Sequence, residues 1–239
     1  MNEERGETGM ENPFGKVTSL EAVMEYFHDG MTLMFGGFGG VGSPPDIIDG
    51  ILEKGVRDLT LIGNDTGFPH IGIGKLVSQQ RASKVIASHI GSNPFAGQLM
   101  HDGKLEVEFS PQGILAERIR AGGVGLPAIL SDIGLDNELV VKDKPYISLA
   151  DRRYLLETAL TAEVSIVYAK KADEYGNLIY DKSARNTNPL VAMAGDITIA
   201  EVEEIVPLGT LSPDAIITPG VFVDYVILSK GVNWKWAWE

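Results

Sequence analysis

Apolar residues at Leu20, Val23, Met24 and Phe27 recur at the i, i+3, i+4, i+7 spacing of one helical face, with Thr18 or Ser19 as cap. His28-Asp29-Gly30 closes this helix, and the unbroken apolar run Met31–Phe35 predicts a buried strand. Ser43-Pro-Pro-Asp46 opens the next helix: Ser43 can cap it, proline suits its first turn, and Asp46 favours its positive end. That helix covers Ile47 to Lys54 and ends at Gly55. Strands then follow at Asp58–Ile62, Lys84–Ser88 and Leu105–Phe109, alternating with helices at Ile73–Gln80, Pro94–His101 and Ile114–Arg120. Such alternation predicts right-handed βαβ units, hence an α/β fold on an open, mostly parallel sheet with flanking helices.

From Gly122 to about Lys144 no clean period is present, which predicts a long loop. Strand-like runs resume at Tyr146–Leu149, Val164–Ala169, Leu178–Tyr180, Ile197–Val202 and Val221–Leu228. Gly176-Asn177 reads as a hairpin turn, so these later strands are expected to be partly antiparallel. With no repeat and no Pro/Ser linker, residues 18–239 read as a single domain. Residues 1–17 are acidic and Gly-rich without an apolar core, which suits a mobile leader and not a signal peptide.

Composition removes several function classes. The 239 residues hold 33 acidic against 20 basic side chains, a formal charge of -13 that opposes nucleic acid or an anionic membrane as main partner. The chain has no cysteine, which excludes disulfides, thiolate catalysis and Cys-based zinc sites. The uncharged stretch Met31–Pro45 is too short and too rich in glycine to span a bilayer. A cytoplasmic location is the expectation.

Gly37-Phe-Gly-Gly-Val-Gly42 fits the G-x-G-x-x-G dinucleotide fingerprint, but that motif needs a helix that starts inside it. Pro44 and Pro45 set the helix start later and remove amide donors where a pyrophosphate would need them. Gly36, Gly37, Gly39, Gly40 and Gly42 are five glycines in seven residues, a density that suits close approach by a ligand or a partner chain. Close packing of strand on helix is the plainer use. Asn64-Asp65-Thr-Gly, Ser88-His-Ile-Gly-Ser-Asn-Pro94 and Ser110-Pro-Gln112-Gly113 fall with this loop at the carboxyl ends of expected parallel strands, the edge where open α/β sheets bind ligands. Asn64 and Gln112 can donate and accept without titrating, which suits a carboxylate or a thioester carbonyl. Ser183-Ala-Arg185-Asn186-Thr-Asn-Pro189 is a fourth polar stretch.

Other chemistry is missing. Gly74-Lys75 is followed by Leu76 and is no P-loop, and no G-x-S-x-G elbow occurs. The four histidines have no metal-ligand spacing, and no metal site is expected. Glu106 and Glu108 read as the solvent face of a strand, and Glu117, Arg118 and Arg120 as a salt-bridged helix surface. No carboxylate stands out as a nucleophile. Trp234, Trp236 and Trp238 would share one face of an extended tail and make a candidate subunit contact.

Asp29-Gly-Met-Thr-Leu-Met-Phe-Gly-Gly-Phe-Gly-Gly-Val-Gly-Ser-Pro44 resembles the α-subunit signature of family I CoA-transferases. Similar stretches are Val56-Arg-Asp-Leu-Thr60, Gly63-Asn64, Pro111-Gln-Gly, Ala116–Gly123, Gly176-Asn177 and Ser183-Ala-Arg-Asn186. The acetate or butyrate:acetoacetate and succinyl-CoA:3-oxoacid enzymes are the nearest types. The resemblance implies ping-pong transfer of CoA between an acyl-CoA and a short-chain carboxylate or 3-oxo acid, through a glutamyl-CoA thioester. The nucleophilic glutamate belongs to the β subunit, and no Ser-Glu dipeptide of its motif occurs here. By resemblance Asn64 and Gln112 line the acyl pocket, with Asp65 and Gly113 beside them. The loop Gly36, Gly37, Phe38, Gly39, Gly40 and Gly42 shapes its wall, and Arg185 and Asn186 are candidate interface contacts. The resemblance also implies a β partner in an α2β2 or higher assembly, with CoA as substrate and no permanently bound cofactor. A nucleotide-binding oxidoreductase and a non-catalytic acyl-CoA-binding module are the alternatives.

Overall fold

The computed structural model describes residues 12–236. Its strands and helices run in the order α1 (Leu20–Val23), β1 (Thr32–Phe35), α2 (Pro45–Lys54), β2 (Leu59–Ile62), α3 (Gly74–Ser78), β3 (Ala82–Ala87), α4 (Pro94–His101), β4 (Glu106–Phe109) and α5 (Gln112–Gly123). There follow β5 (Ala128–Ser131), α6 (Glu138–Val141), β6 (Tyr146–Leu149), β7 (Arg152–Thr158), β8 (Ala162–Asp173), β9 (Leu178–Ile179), α7 (Asn188–Met193), β10 (Gly195–Val206) and β11 (Tyr225–Leu228). The main sheet has the order β11-β10-β8-β1-β2-β3-β4, all parallel, and β9 folds back antiparallel on β8. The Gly176-Asn177 turn makes that hairpin, Asp173 accepting from the Asn177 amide with Oδ1 and from its side chain with Oδ2.

Both faces of the sheet are covered, which is why β1 reads as a continuous apolar run. Leu33 and Phe35 join Ile47, Ile51 and Leu76 of α2 and α3 on one face. Met34, one residue out of phase, joins Leu115, Ile119 and Val191 of α5 and α7 on the other.

The expected loop from Gly122 to Lys144 is corrected: it contains β5 and α6, and β5 belongs to a second sheet, β5-β7-β6, that is wholly antiparallel. Val221–Leu228 is likewise corrected, because Gly220–Phe222 is a 3-10 turn and pairing starts at Tyr225. The helix expected from Ser19 to Phe27 has only one α-helical stretch and tightens to 3-10 at Met24–Tyr26. The segment 12–17 lies against β11: the Val226 amide donates to Lys16 O (2.8 Å), and Lys16 Nζ donates to Gly220 O and Val223 O. Residues 1–11 of the expected leader lie outside the described residues.

Arg118 is not part of a helix surface. It is 3% exposed and pairs with Glu108 (2.8 Å) and the fully buried Glu157 (3.7 Å), which Lys144 also meets at 2.9 Å. This network ties α5 to β4 and to the small sheet. Glu106 is exposed, as expected of the solvent face of its strand, and pairs with Lys84, while Arg120 pairs with Glu117.

Ser43 does not cap α2. Its hydroxyl donates to Gly36 O (3.4 Å), and Pro44 holds the cap position without a side-chain bond. The cap comes from β10: Glu201 Oε2 accepts from the amides of Asp46 (3.0 Å) and Ile47 (3.1 Å), while Oε1 accepts from Ser229 Oγ at 2.5 Å. Asp46 in turn accepts from the Lys230 amide at 2.6 Å. Burial pushes the Glu201 carboxyl up to about 7 against these hydrogen bonds, and the Asp46 carboxylate adds to the rise.

Candidate functional site

β1 is flanked by β2 on one side and β8 on the other, so the chain direction across the sheet reverses there, as at the ligand-binding crevice of open α/β sheets. β8 outruns β1. The last sheet contact is Gly36 N–H to Ile166 O (2.9 Å), and at Tyr168 the amide donates to Asn188 Oδ1 (3.0 Å) in place of a strand. Asn188 is fully buried at the start of α7, and its Nδ2 also donates to Gly42 O (3.0 Å) and Ala184 O (2.9 Å). Gly36 must be glycine because a Cβ there would lie 1.7 Å from Asn188 Oδ1. Asn188 thus pins both ends of the glycine loop, a role its place in the Ser183–Pro189 stretch hints at only through the Asn-Pro start of a helix.

Within the loop, Phe38 and Val41 exchange backbone hydrogen bonds of 3.0 Å, and Gly39 and Gly40 between them have φ of 55° and 99°. This two-residue turn has the primed handedness that L side chains resist. A second turn of opposite hand stands beside it after β2, where Phe68 and Ile71 bracket Pro69 and His70, neither of which has positive φ. Most of the loop's amides are already committed. Gly37 N–H donates to Asn186 Oδ1 (3.1 Å) and Gly39 N–H to Asp65 Oδ2 (3.0 Å), and α2 begins only at Pro45. A pyrophosphate finds no helix start inside the motif and few free donors there, which counts against the dinucleotide reading.

Asp65 joins the loops after β1 and β2. Its carboxylate accepts from Gly39 N–H, from Gly67 N–H (2.7 Å) and from Asn64 Nδ2 (2.8 Å), and it is buried. Anchoring Nδ2 on Asp65 turns Asn64 Oδ1 toward Gln112, whose Nε2 donates to it at 2.7 Å. Each amide nitrogen therefore keeps one further N–H, and the pair forms two donors at the sheet's carboxyl edge. Gln112 opens α5, and Gly113 beside it leaves that first turn open, since a Cβ there would meet nothing. Ser110, buried just ahead of them, has an Oγ without a hydrogen-bond partner.

On the other flank, Asn186 locks the loop: Nδ2 donates to Val41 O (2.9 Å) while Oδ1 accepts from Gly37. Arg185 stands free of this lock. With Lys182, Ser183 and Asn186 it lines a cleft of about 510 Å³ that Phe38 and Val41 also line. Trp234 and Trp236 meet edge to face (5.8 Å), and Lys75 lies over the Trp234 ring at 5.3 Å. Trp236 reaches the glycine loop, its Cζ3 lying 3.3 Å from where a Cβ on Gly40 would stand. The described tail is not a strand, and Trp238 lies outside the described residues. Among the described residues no group of acidic or histidine side chains could hold a metal, and no helix is long and apolar enough to cross a membrane.

The model of the coenzyme A transferase family matches residues 17–229. A protein of Bacillus subtilis (strain 168) named "probable coenzyme A transferase subunit alpha" is 59% identical over 227 residues, 95% of this chain and 99% of that one. The acetate CoA-transferase subunit alpha of Escherichia coli (strain K12) is 46% identical over 215 residues, 90% of this chain and 97% of its own. Among solved structures, an acyl-CoA transferase of Escherichia coli O157:H7, in a thioester complex with CoA, superposes with a TM-score of 0.80 over 91% of this chain. Its identity is 23%, so the likeness speaks for the fold, and the present chain spans 49% of that longer one. The chain belongs to the coenzyme A transferase family.

Proposed function

We propose that this chain is the α subunit of a cytoplasmic CoA-transferase that moves CoA between an acyl-CoA and a short-chain carboxylate or 3-oxo acid. Its partner is a β subunit in an α2β2 or higher assembly, and CoA enters as substrate, with no permanently bound cofactor. The observation that carries the reading is the Asn64–Gln112 amide pair, two donors at the carboxyl edge whose hydrogen-bonded carboxylate among the described residues is Asp65. Asp65, the one carboxylate in contact with the pair, has its oxygens occupied by three N–H donors and is a poor nucleophile. The names of the two curated relatives, both alpha subunits, support a partner, and acetate in one name supports a short-chain acid.

In this reading a glutamate of the partner attacks the thioester carbonyl. The oxyanion that develops is met by the free N–H groups of Asn64 and Gln112, preorganised donors of the kind worth about 3 kcal/mol each in a transition state. Asp65 keeps the Asn64 amide from rotating, and the loop Gly36–Gly42 forms the wall. The test is co-expression with a candidate β subunit and assay with acetate, butyrate, succinate and acetoacetate as acceptors. Activity is expected only from the complex, with hydroxylamine or borohydride trapping a glutamate of the partner. Trapping on Glu117 or any other residue of this chain refutes the division of labour.

A further inference from the structure

The cleft beside the glycine loop has an unused cation. The Arg185 side chain makes no hydrogen bond or ion pair among the described residues, although acidic residues outnumber basic ones 33 to 20 in this chain. Its charge favours the ionised Tyr180 phenol, against the rise that burial imposes on that group. Lys182 stands at the same cleft, with its side chain 87% exposed and a loose 3.7 Å contact to Asp181. The same cleft has an apolar part, Val41 and Phe38, the latter 55% exposed.

The turn that presents Arg185 is rigid. Lys182 and Asn186, at its two ends, have φ of 46° and 22°, a region that costs a residue with a side chain roughly 1 kcal/mol or more. What holds it there is Asn186, bonded to Gly37 and Val41, and Asn188, bonded to Ala184. The backbone that carries the guanidinium is therefore bolted to the glycine loop, and a ligand has the Arg185 side chain alone to order there.

We propose that this cleft is an anion subsite for an organic carboxylate, with Arg185 as the group that binds the carboxylate and Phe38 and Val41 as the surface for its hydrocarbon part. The proposal rests on the CoA-transferase reading for its place in the reaction: it gives the α subunit a means to select among acid substrates. A planar guanidinium takes a carboxylate through two parallel N–H bonds, and a hydrocarbon next to it covers exposed phenyl and isopropyl surface. The phosphate groups of CoA would satisfy the cation equally and leave the apolar wall unused.

Calorimetric titration of the full chain with succinate, inorganic pyrophosphate and the neutral isostere succinamide tests this directly, alone and in complex with its β subunit. Saturable succinate binding is expected, about tenfold weaker in Arg185→Gln, with part of the loss restored in Arg185→Lys, and no binding of succinamide. Unchanged melting of Arg185→Gln is expected because the side chain has no internal partner. Succinate binding that is absent, or equal in Arg185→Gln, overturns the proposal. Pyrophosphate binding that is tighter than succinate and lost in Arg185→Gln overturns the carboxylate assignment and gives the cleft to phosphate. The readout needs no turnover. Carboxylate binding with no CoA transfer in any complex would sink the function and leave the subsite, and the converse would do the reverse.

Discussion

Replacing Glu201 by glutamine isolates the buried carboxyl of β10 that caps α2. In the folded chain this group titrates at about 7, against an ordinary value of 4.5. Between those two values the unfolded chain has lost its proton and the folded chain retains it. The native state then binds more protons, and stability falls as pH rises from about 4.5 to about 7, after which the contribution is flat. At about 1.4 kcal/mol per unit, the full loss is about 3 kcal/mol. The groups that meet Glu201 are Asp46 on α2, Ser229 after β11, and Tyr168, its neighbour on β8. Glutamine can accept from the Asp46 and Ile47 amides and donate to Ser229 Oγ, so it imitates the protonated acid at every pH. Urea unfolding of both proteins at pH 5 and pH 8 is the assay. Glu201→Gln is expected to be near wild type at pH 5 and more stable by about 3 kcal/mol at pH 8, a difference large enough to raise the melting temperature by roughly 6–12 °C. Parallel stability profiles, or an advantage confined to acid, refute the assignment of a buried neutral carboxyl.

Asp65→Ala strands three N–H donors and releases the Asn64 amide, and it is expected to cost about 3 kcal/mol in urea and to lower kcat of the complex more than it raises KM. Gln112→Leu removes one of two donors and with it the 2.7 Å bond to the buried Asn64 Oδ1, so a loss of about 1 kcal/mol in stability is expected while kcat falls about 100-fold. Gly36→Ala drives a methyl into Asn188 and should destabilise by about 3 kcal/mol, read by thermal melting. Arg118→Met leaves Glu157 buried with Lys144 as its one remaining cation, and a loss of about 3 kcal/mol is expected.

The first half of the fold was legible because each element satisfies a local rule. α4 spans Pro94–His101 as its pattern predicts, with Asn93 accepting from the Phe95 amide as cap. Of the small sheet β6 was legible as the run Tyr146–Leu149, but β5 was not, for a physical reason: its one buried residue is Ser131, so no buried apolar face imprints a period on it. β8 and β10 extend well past the predicted runs because they pair with each other beyond the end of β1, up to Asp173 and Val206. For the site, Asn64 and Gln112 could be singled out by type and place, but their mutual bond could not. Asn188 and the Glu201 cap are tertiary facts, a carboxylate serving a helix 155 residues away, and nothing near Pro44 in the chain announces it.

The paired turns after β1 and β2 have a consequence for the paths open to this sequence. Both are closed by a phenylalanine and a β-branched residue, yet their backbones are of opposite hand. At Pro69 and His70 the conformation is one most amino acids adopt, so single-base changes in those codons can be sampled with small effect. At Gly39 and Gly40 the φ values of 55° and 99° admit glycine readily, asparagine and aspartate at some cost, and little else. A deep mutational scan should therefore show two adjacent four-residue turns of matching outline, one nearly frozen and the other free to drift. The frozen one is the one that faces the amide pair through Asp65.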